Sequence, residues 1–408
     1  MRRAGDKDGP DVRAAPSVMY VQFTDPAGYP PLEHGALLLA EAGCRVHLVG
    51  IDLTHGALTL ASHPRVSEAL LKPEPPGWRQ KVQFLRFVWW SLGEARRCKP
   101  TWIYASDTLS TPAAVVLRWV TGAQTIYHEH DAPPEAYSSI FMRLAGWCRR
   151  SVLRHASAVI VPSHERGEMI GGGCLVEIAT VRNAPLLREV RGPRLGVADG
   201  RRLRALYHGS IVPARLPVAV IDALAELPVA VTLTIAGYDP SGGHHLAALR
   251  ARAQERGVGD RLHIAGTVPT RRALLDLAAS CDIGLAFMPS VTHDANEQTM
   301  VGASNKPFDY LACGLALLVS DLPAWRDMYV AAGYGLACVP ESATDIASKL
   351  RWFLEHPTER VQMGEAGRQR VLSEWYYERE FGSLVTRIAG HAAVPIESVA
   401  ASNAAVGA

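Results

Sequence analysis

No run of apolar residues in this 408-residue sequence reaches the roughly 18 that a membrane-spanning helix needs, so contact with a bilayer is expected to be peripheral at most. Its seven cysteines (Cys44, Cys98, Cys148, Cys174, Cys281, Cys313, Cys338) are odd in number, scattered and never in a Cys-x-x-Cys pair. That pattern argues against a disulfide framework and a zinc knuckle, and it fits a reducing cytoplasm. An excess of one charge is also missing. The 42 Lys and Arg stand against 40 Asp and Glu, a balance that gives no electrostatic reason to expect a nucleic-acid partner. Residues 1–16 are mixed in charge and have no apolar core, so a secretory signal is not expected.

What remains is ordinary globular composition, 48% hydrophobic and 20% charged, in a chain long enough for two cores. Short apolar runs bounded by Gly, Pro, Asp or Ser recur at Ser17 to Phe23, Cys44 to Gly50, Thr101 to Ala105, Gln124 to His128, Ala156 to Pro162 and Val176 to Val181. A second series follows at Leu203 to His208, Val231 to Ala236, Arg261 to Ala265, Cys281 to Phe287, Leu315 to Ser320 and Gly335 to Val339. Amphipathic stretches of helical length lie between most of them, such as Leu32 to Gly43 and Ser139 to Arg154. This alternation predicts two doubly wound parallel-sheet α/β domains, residues 17–187 and 203–389, facing across a cleft. The Arg- and Gly-rich segment 188–202 reads as the linker, and 1–16 and 390–408 as disordered ends. A terminal helix around Trp375 and Phe381 is expected to cross to the other domain.

The most informative segment is Ser304-Asn305-Lys306-Pro307-Phe308-Asp309-Tyr310-Leu311-Ala312-Cys313-Gly314. Ser304 or Asn305 can accept amides of a first helical turn, Pro307 suits that turn, and Gly314 supplies a left-handed exit into an apolar strand. A helix start with free amides and a lysine favours a phosphate. The segment resembles the donor-binding signature of retaining GT-B glycosyltransferases of family 4, a Lys-x-Phe-Glu-Tyr-x-Ala-x-Gly pattern in which the carboxylate holds the nucleotide ribose. The resemblance implies a GT-B fold of two Rossmann-like domains and transfer of a sugar from a nucleotide-diphosphate donor to a hydroxyl of a glycan or lipid-linked acceptor. It implies no cofactor and no metal, and it puts Asp309 in the ribose position.

Other sites follow the same order. Tyr207-His208-Gly209-Ser210 to Arg215 is a strand running into a small-residue loop, where amides can approach phosphate and Arg215 can close over it. The family commonly has an arginine directly after the glycine and a lysine about five residues later; here they are Ser210 and Arg215. Gly237 and Gly266 each follow a strand, and the resemblance puts the nucleotide base near Gly266 to Val268. The family often carries two glutamates separated by seven residues, the first facing the donor sugar. That position is Val301 here, so the Gly302–Ala303 backbone with Asn305 is expected to take the sugar contacts, with Glu297 and Asp294 as nearby substitutes.

In the first domain, Tyr127-His128-Glu129-His130-Asp131 ends a strand, with both histidines on one face by period two. The resemblance assigns His130 to the donor sugar and keeps His128 in reserve, while Gly28, Tyr29 and His34 are candidates for the acceptor side. Catalysis is thereby assigned to His130, Arg215 and Lys306, and donor binding to Gly209, Ser210, Gly266, Val268, Ala303, Ser304, Asn305 and Asp309. Three rivals stay open: a non-catalytic sugar-nucleotide or glycan-binding subunit, a metal hydrolase on His128, His130 and Asp131, and a nucleotide-sugar epimerase. The stretch Trp78 to Lys99 reads as a core helix with a basic outer face. The resemblance implies instead a surface that associates peripherally with the inner face of a membrane.

Overall fold

A computed structural model describes residues 15–75, 77–133, 139–193 and 201–390. The segments expected to be disordered, 1–16 and 390–408, lie outside the described residues except for 15–16 and 390, as does 194–200 of the expected linker.

The first half alternates strands β1 (Ser17–Gln22), β2 (Arg45–Ile51), β3 (Val66–Leu71), β4 (Trp102–Ser106), β5 (Gln124–His128), β6 (Ala158–Val161) and β7 (Ile178–Thr180) with helices α1 (Pro30–Glu41), α2 (Trp78–Cys98), α3 (Thr111–Thr121), α4 (Ile140–His155) and α5 (His164–Ile170). The seven strands form one parallel sheet in the order β3-β2-β1-β4-β5-β6-β7. Strand β3 was not anticipated. It sits at the sheet edge and is only half-buried, so its sequence carries no apolar run to announce it.

The second half contains β8 (Leu203–His208), α6 (Ala219–Ala225), β9 (Val231–Ala236), α7 (His244–Glu255), β10 (Leu262–Gly266), α8 (Arg271–Ala279), β11 (Ile283–Ala286), the short α9 (Ala295–Gln298), α10 (Asn305–Ala312), β12 (Ala316–Ser320), the single turn α11 (Pro323–Trp325) and β13 (Gly335–Cys338). Helices α12 (Ala343–Glu355), α13 (Pro357–Ser373) and α14 (Tyr377–Ala389) complete it. Its six strands, ordered β10-β9-β8-β11-β12-β13, are again parallel, so in both sheets chain direction reverses across the sheet beside the first strand of the series. Loops at the carboxyl ends of β1, β5, β8, β9 and β10 meet there, where parallel sheets place ligands.

Each sheet is covered on both faces because its central strands are apolar on both sides; every residue of β1 and β12 is buried. Helix α14 leaves the second half and packs on α1. Phe381 and Leu384 join Leu32, Ala36 and Leu39 in one core, and the Tyr377 hydroxyl donates to the Pro31 carbonyl at 3.1 Å. Burying Phe381 fully contributes on the order of 2–3 kcal/mol, which ties the two halves together by hydrophobic area rather than by the linker alone. A β-carbon on Gly35 would lie 2.9 Å from the Tyr20 hydroxyl and 3.4 Å from the Phe381 ring, so the α1–α14 approach depends on that glycine.

Candidate active site

The cleft between the halves encloses a cavity of about 750 Å³ lined from both domains. Gly28, Tyr29 and His130 face it from the first domain, and Gly209, Ser210, Arg215, Val268, Ala303, Ser304, Asn305 and Lys306 from the second. Of the remaining sequence-assigned residues, His34, His128, Gly266 and Asp309 do not line it.

Two glycines shape the floor. Gly209 has φ +104°, and a β-carbon on it would stand 3.1 Å from the Lys306 Nζ. Gly237 has φ +142°, and its β-carbon would fall 1.8 Å from the Gly209 carbonyl oxygen. The two loops can therefore touch, and the lysine can lie over them, only without side chains at these positions. Gly237→Ala is expected to force the loops apart and cost about 2–3 kcal/mol, measured as a lower urea midpoint together with lost nucleotide binding. An unchanged midpoint and binding would contradict this packing.

Helix α10 starts at the cavity. Ser304 is its N-cap by backbone geometry, but its hydroxyl accepts no first-turn amide, contrary to the sequence expectation, and neither does any other side chain. The Asn305 and Lys306 amides begin the helix, with no preceding carbonyl inside it to accept them. Lys306 is buried, and desolvation, aided by Arg215 and opposed by Asp309, pulls its ammonium down to about 7. Its Nζ lies 5.4 Å from the centre of the Tyr207 ring, and the buried Nε of Arg215 has no protein partner. Two cations and a helix start thus converge on one volume, which is the arrangement that stabilises charge on a diphosphate.

Asp309, put in the ribose position by the resemblance, lies behind the cavity wall. Its carboxylate is buried and held by Arg271, with Nη2 at 2.7 Å and Nη1 at 3.3 Å, and by the Asn305 side-chain amide at 3.1 Å. A desolvated guanidinium requires a counterion, and Arg271 takes two: the other side of its fork donates to Glu189 at 2.8 and 3.1 Å. Asp309 therefore orients Arg271, which lines the cavity, while Asp309 itself does not. Behind it, burial holds His208 down to about 4, so that ring is neutral although its Nε2 is 3.5 Å from Asp309.

Across the cleft, His130 is buried with both ring nitrogens lacking a protein partner, and burial, with Arg166 nearby, pulls it down to about 3. It is a neutral ring facing the cavity, able to donate from one nitrogen and accept on the other. Its main chain is fixed on both sides. The amide donates to Asp107 Oδ1 at 2.7 Å, and the carbonyl accepts from Arg166 Nη1. Asp107 has φ +62°, a strained conformation for a side chain of any size, and burial beside Asp131 pushes its carboxyl up to about 8. Arg166 also donates to the Thr299 hydroxyl at 3.0 Å, to the Asn296 carbonyl at 3.2 Å and to the Asn296 side-chain oxygen, so one buried guanidinium from α5 joins the His130 loop to the second domain.

Three further residues assigned from sequence lie behind the cavity wall. The His128 ring lies against His130, with centres 3.7 Å apart and planes tilted by 37°, but its Nδ1 is bound to the Tyr104 hydroxyl at 2.5 Å, inside the domain. His34 is buried in the domain junction, its Nε2 3.0 Å from Glu189 and its ring edge against Tyr377. Gly266 has φ +70° and serves the turn after β10, leaving Thr267 and Val268 at the wall. Of the carboxylates near Val301, Glu297 accepts from Thr292 at 2.6 Å and Asp294 caps α9, so both are committed to their own loop. Val301 itself is partly buried and packs against the core that includes Phe308 and Leu311 of α10. Among the described residues no group of three or more His, Cys, Asp or Glu is arranged to hold a metal ion. Arg166, Arg271, Asp107 and Asn296 were not anticipated, because nothing local in sequence distinguishes them from surface charge or turn residues.

Residues 19–170 match the family model described as a glycosyl transferase 4-like domain, and residues 218–386 match one described as glycosyl transferase-like. The chain is a GT-B glycosyltransferase of the group 1 family. The two matched segments carry His130, Arg166 and Arg271, Lys306 and Asp309, whereas the Gly209–Arg215 loop falls between them. Among solved structures, the glycosyltransferase resembles the sucrose-phosphate synthase of Thermosynechococcus elongatus (18% identity, TM-score 0.68, covering 91% of this chain and 99% of that one). It also resembles HepE of Anabaena in complex with UDP and glucose (15%, 0.67, 92% and 100%). A third match is WaaG, a glycosyltransferase involved in lipopolysaccharide biosynthesis (13%, 0.62, 92% and 100%). At these identities the likeness is one of fold. No curated protein matches the sequence.

Proposed function

We propose that this glycosyltransferase moves a hexosyl or related group, with retention, from a nucleotide-diphosphate sugar to a hydroxyl of a glycan or lipid-linked acceptor. The observation that carries the reading is the convergence of Lys306, Arg215 and the start of α10 on one cavity, with the unpartnered His130 ring on the opposite wall. The diphosphate lies against the cations and the Gly209 loop, and the nucleoside extends toward Val268 and Arg271. The sugar is left beneath His130, whose neutral ring hydrogen-bonds a sugar hydroxyl. As the bond from the anomeric carbon to the diphosphate oxygen breaks, negative charge grows where the cations stand and the sugar becomes oxocarbenium-like. The acceptor oxygen bonds the same face of that carbon, and its proton passes to the departing phosphate oxygen. The nucleotide diphosphate then leaves.

With Val301 in place of a sugar-facing carboxylate, the hydroxyl contacts fall to the Ala303–Asn305 backbone and the Asn305 side chain. Cationic side chains occupy the role of a divalent ion, so no metal is required. The complexes of HepE with UDP, glucose and UDP-glucose support testing UDP-sugars first. A thermal-shift screen against UDP-, GDP-, ADP- and CMP-sugars should raise the melting temperature with one nucleotide class. Transfer from that donor in the presence of chelator should then yield a product of unchanged anomeric configuration, read by NMR. An inverted product would refute retention, and activity lost to chelator but restored by magnesium or manganese would refute metal independence.

A further inference from the structure

The lysine and arginine residues that line the cavity, Arg215, Arg271 and Lys306, all come from the second half of the chain. The first half lines it with Asp25, Glu33 and Asp131 and with no lysine or arginine. Two of these carboxylates are engaged elsewhere. Asp25 accepts from the Ala27 amide at 3.0 Å and from the Thr54 hydroxyl at 2.6 Å, and the exposed Asp131 accepts from the Asn296 side-chain amide at 3.0 Å. Glu33 differs. It is only 7% exposed, its Oε1 accepts from the Ala61 amide at 3.2 Å, and its Oε2 has no hydrogen-bond partner among the described residues. A buried carboxylate oxygen without a donor is unfavourable, and a ligand hydroxyl that reaches it removes that cost. As an acid in the first turn of α1, Glu33 also complements the helix dipole, but an exposed side chain would serve that purpose equally well.

Glu33 stands near Arg271 across the cavity. The next residue, His34, has its Nε2 3.0 Å from Glu189, and Glu189 accepts from Arg271 at 2.8 Å. The segment that holds Glu33 reaches the same wall, because the Thr59 amide donates to the Pro269 carbonyl at 3.0 Å, two residues before Arg271. These ties share no residue with the Arg166 contacts, so they persist if the His130 edge of the cleft opens. Along α10, Asp309 lies about 5 Å beyond Lys306, nearly one turn, and it fixes Arg271 at that remove from the phosphate cations. Around Glu33 nothing invites an anion. Helix α1 opens with Pro30 and Pro31, which have no amide to offer, and the Leu32 amide is bound to the Tyr29 carbonyl at 2.9 Å.

We propose that Glu33, from the domain opposite the phosphate site, accepts a hydrogen bond from the ribose hydroxyls of the donor nucleotide. The ribose is the next group along a nucleotide after its diphosphate, so with the diphosphate at Lys306 and Arg215 its hydroxyls fall between Arg271 and Glu33. One nucleotide then binds across both halves, with its phosphates on the second and its ribose held from the first. The inference rests on the reading of the cavity as a nucleotide-diphosphate site and adds the residue that selects ribonucleotides.

Calorimetric titration of the full-length protein with UDP, GDP and ADP identifies the nucleoside diphosphate that binds. Its 2′,3′-dideoxy counterpart should then bind at least about tenfold more weakly, the effect of losing a hydrogen bond to a charged group. Glu33→Gln keeps an oxygen for the Ala61 amide and turns the free one into a donor. This variant should bind the ribonucleotide about tenfold more weakly than the wild type, bind the dideoxy form equally well, and keep the wild-type melting temperature. Equal affinity of the wild-type protein for the two nucleotides overturns the proposal, whatever the variant does to folding. So does a variant that still discriminates between them. Failure of all three diphosphates to bind would refute the diphosphate site itself, whereas binding without discrimination refutes the role of Glu33 alone.

Discussion

Lys306→Met is expected to fold, to bind a nucleotide diphosphate poorly and to transfer sugar about a hundred- to a thousandfold more slowly, the usual cost of removing one preorganised charge from a transition state. The lysine is placed for charge that does not exist until the diphosphate arrives: buried, beside Arg215 and pulled down to about 7 from an ordinary 10.5. Donor affinity should therefore be level below about pH 7, where the ammonium is charged, and weaken by up to tenfold per unit above it as the free protein loses that proton. The variant should lack this slope. Stability moves the other way. Between the folded value near 7 and the unfolded 10.5, the unfolded chain binds more protons, so this group makes the native state more stable as pH rises through that window. Below it the full penalty of a desolvated cation is present, so at pH 6 Lys306→Met should raise the urea midpoint while destroying activity. A midpoint that falls, with a pH slope of affinity like that of the wild type, would show that the ammonium does not sit in the low-dielectric site described.

Arg166→Ala should lower turnover about a hundredfold while changing nucleotide affinity little. Its guanidinium holds the His130 carbonyl, both oxygens of Asn296 and the Thr299 hydroxyl while almost completely buried, so truncation strands several acceptors and opens the contact between the halves. Losing one member of a buried charged network costs about 3–5 kcal/mol, enough to shift a closed cleft to a mostly open one. The phosphate cations belong to the second domain and stay in place, whereas His130 belongs to the first. Turnover and binding should consequently separate, and small-angle scattering should show a larger radius of gyration. Arg166→Lys should rescue little, because a single ammonium cannot reproduce a fork with partners on two domains. Loss of nucleotide affinity equal to the loss of turnover, with no change in radius, would mean that Arg166 serves folding alone.

The parts readable from sequence share a physical cause: they depend on neighbours within a few residues. The βα alternation, the turn after β8 at Gly209 and the helix from Asn305 to Ala312 with its left-handed exit at Gly314 follow from side-chain periodicity, capping chemistry and backbone freedom. His130 was legible for the same reason, as a polar residue at the carboxyl end of an apolar strand. Strand β3 was not, because an edge strand exposed to water needs no apolar pattern. The exposure of Trp78 and Trp89 on α2 was not legible either, because periodicity locates a stripe but does not say which side of the helix meets the sheet.

By itself, then, the sequence determined two parallel-sheet α/β halves, a helix start poised for an anion, and the lysine and histidine that face the cleft. Tertiary structure alone decided the partners of the charged groups: Asp309 with Arg271, Arg271 also with Glu189, His34 against Glu189, and Arg166 across the domain boundary. The reason is that a buried charge takes the counterion that folding brings within about 4 Å, and that choice is made between segments far apart in the chain.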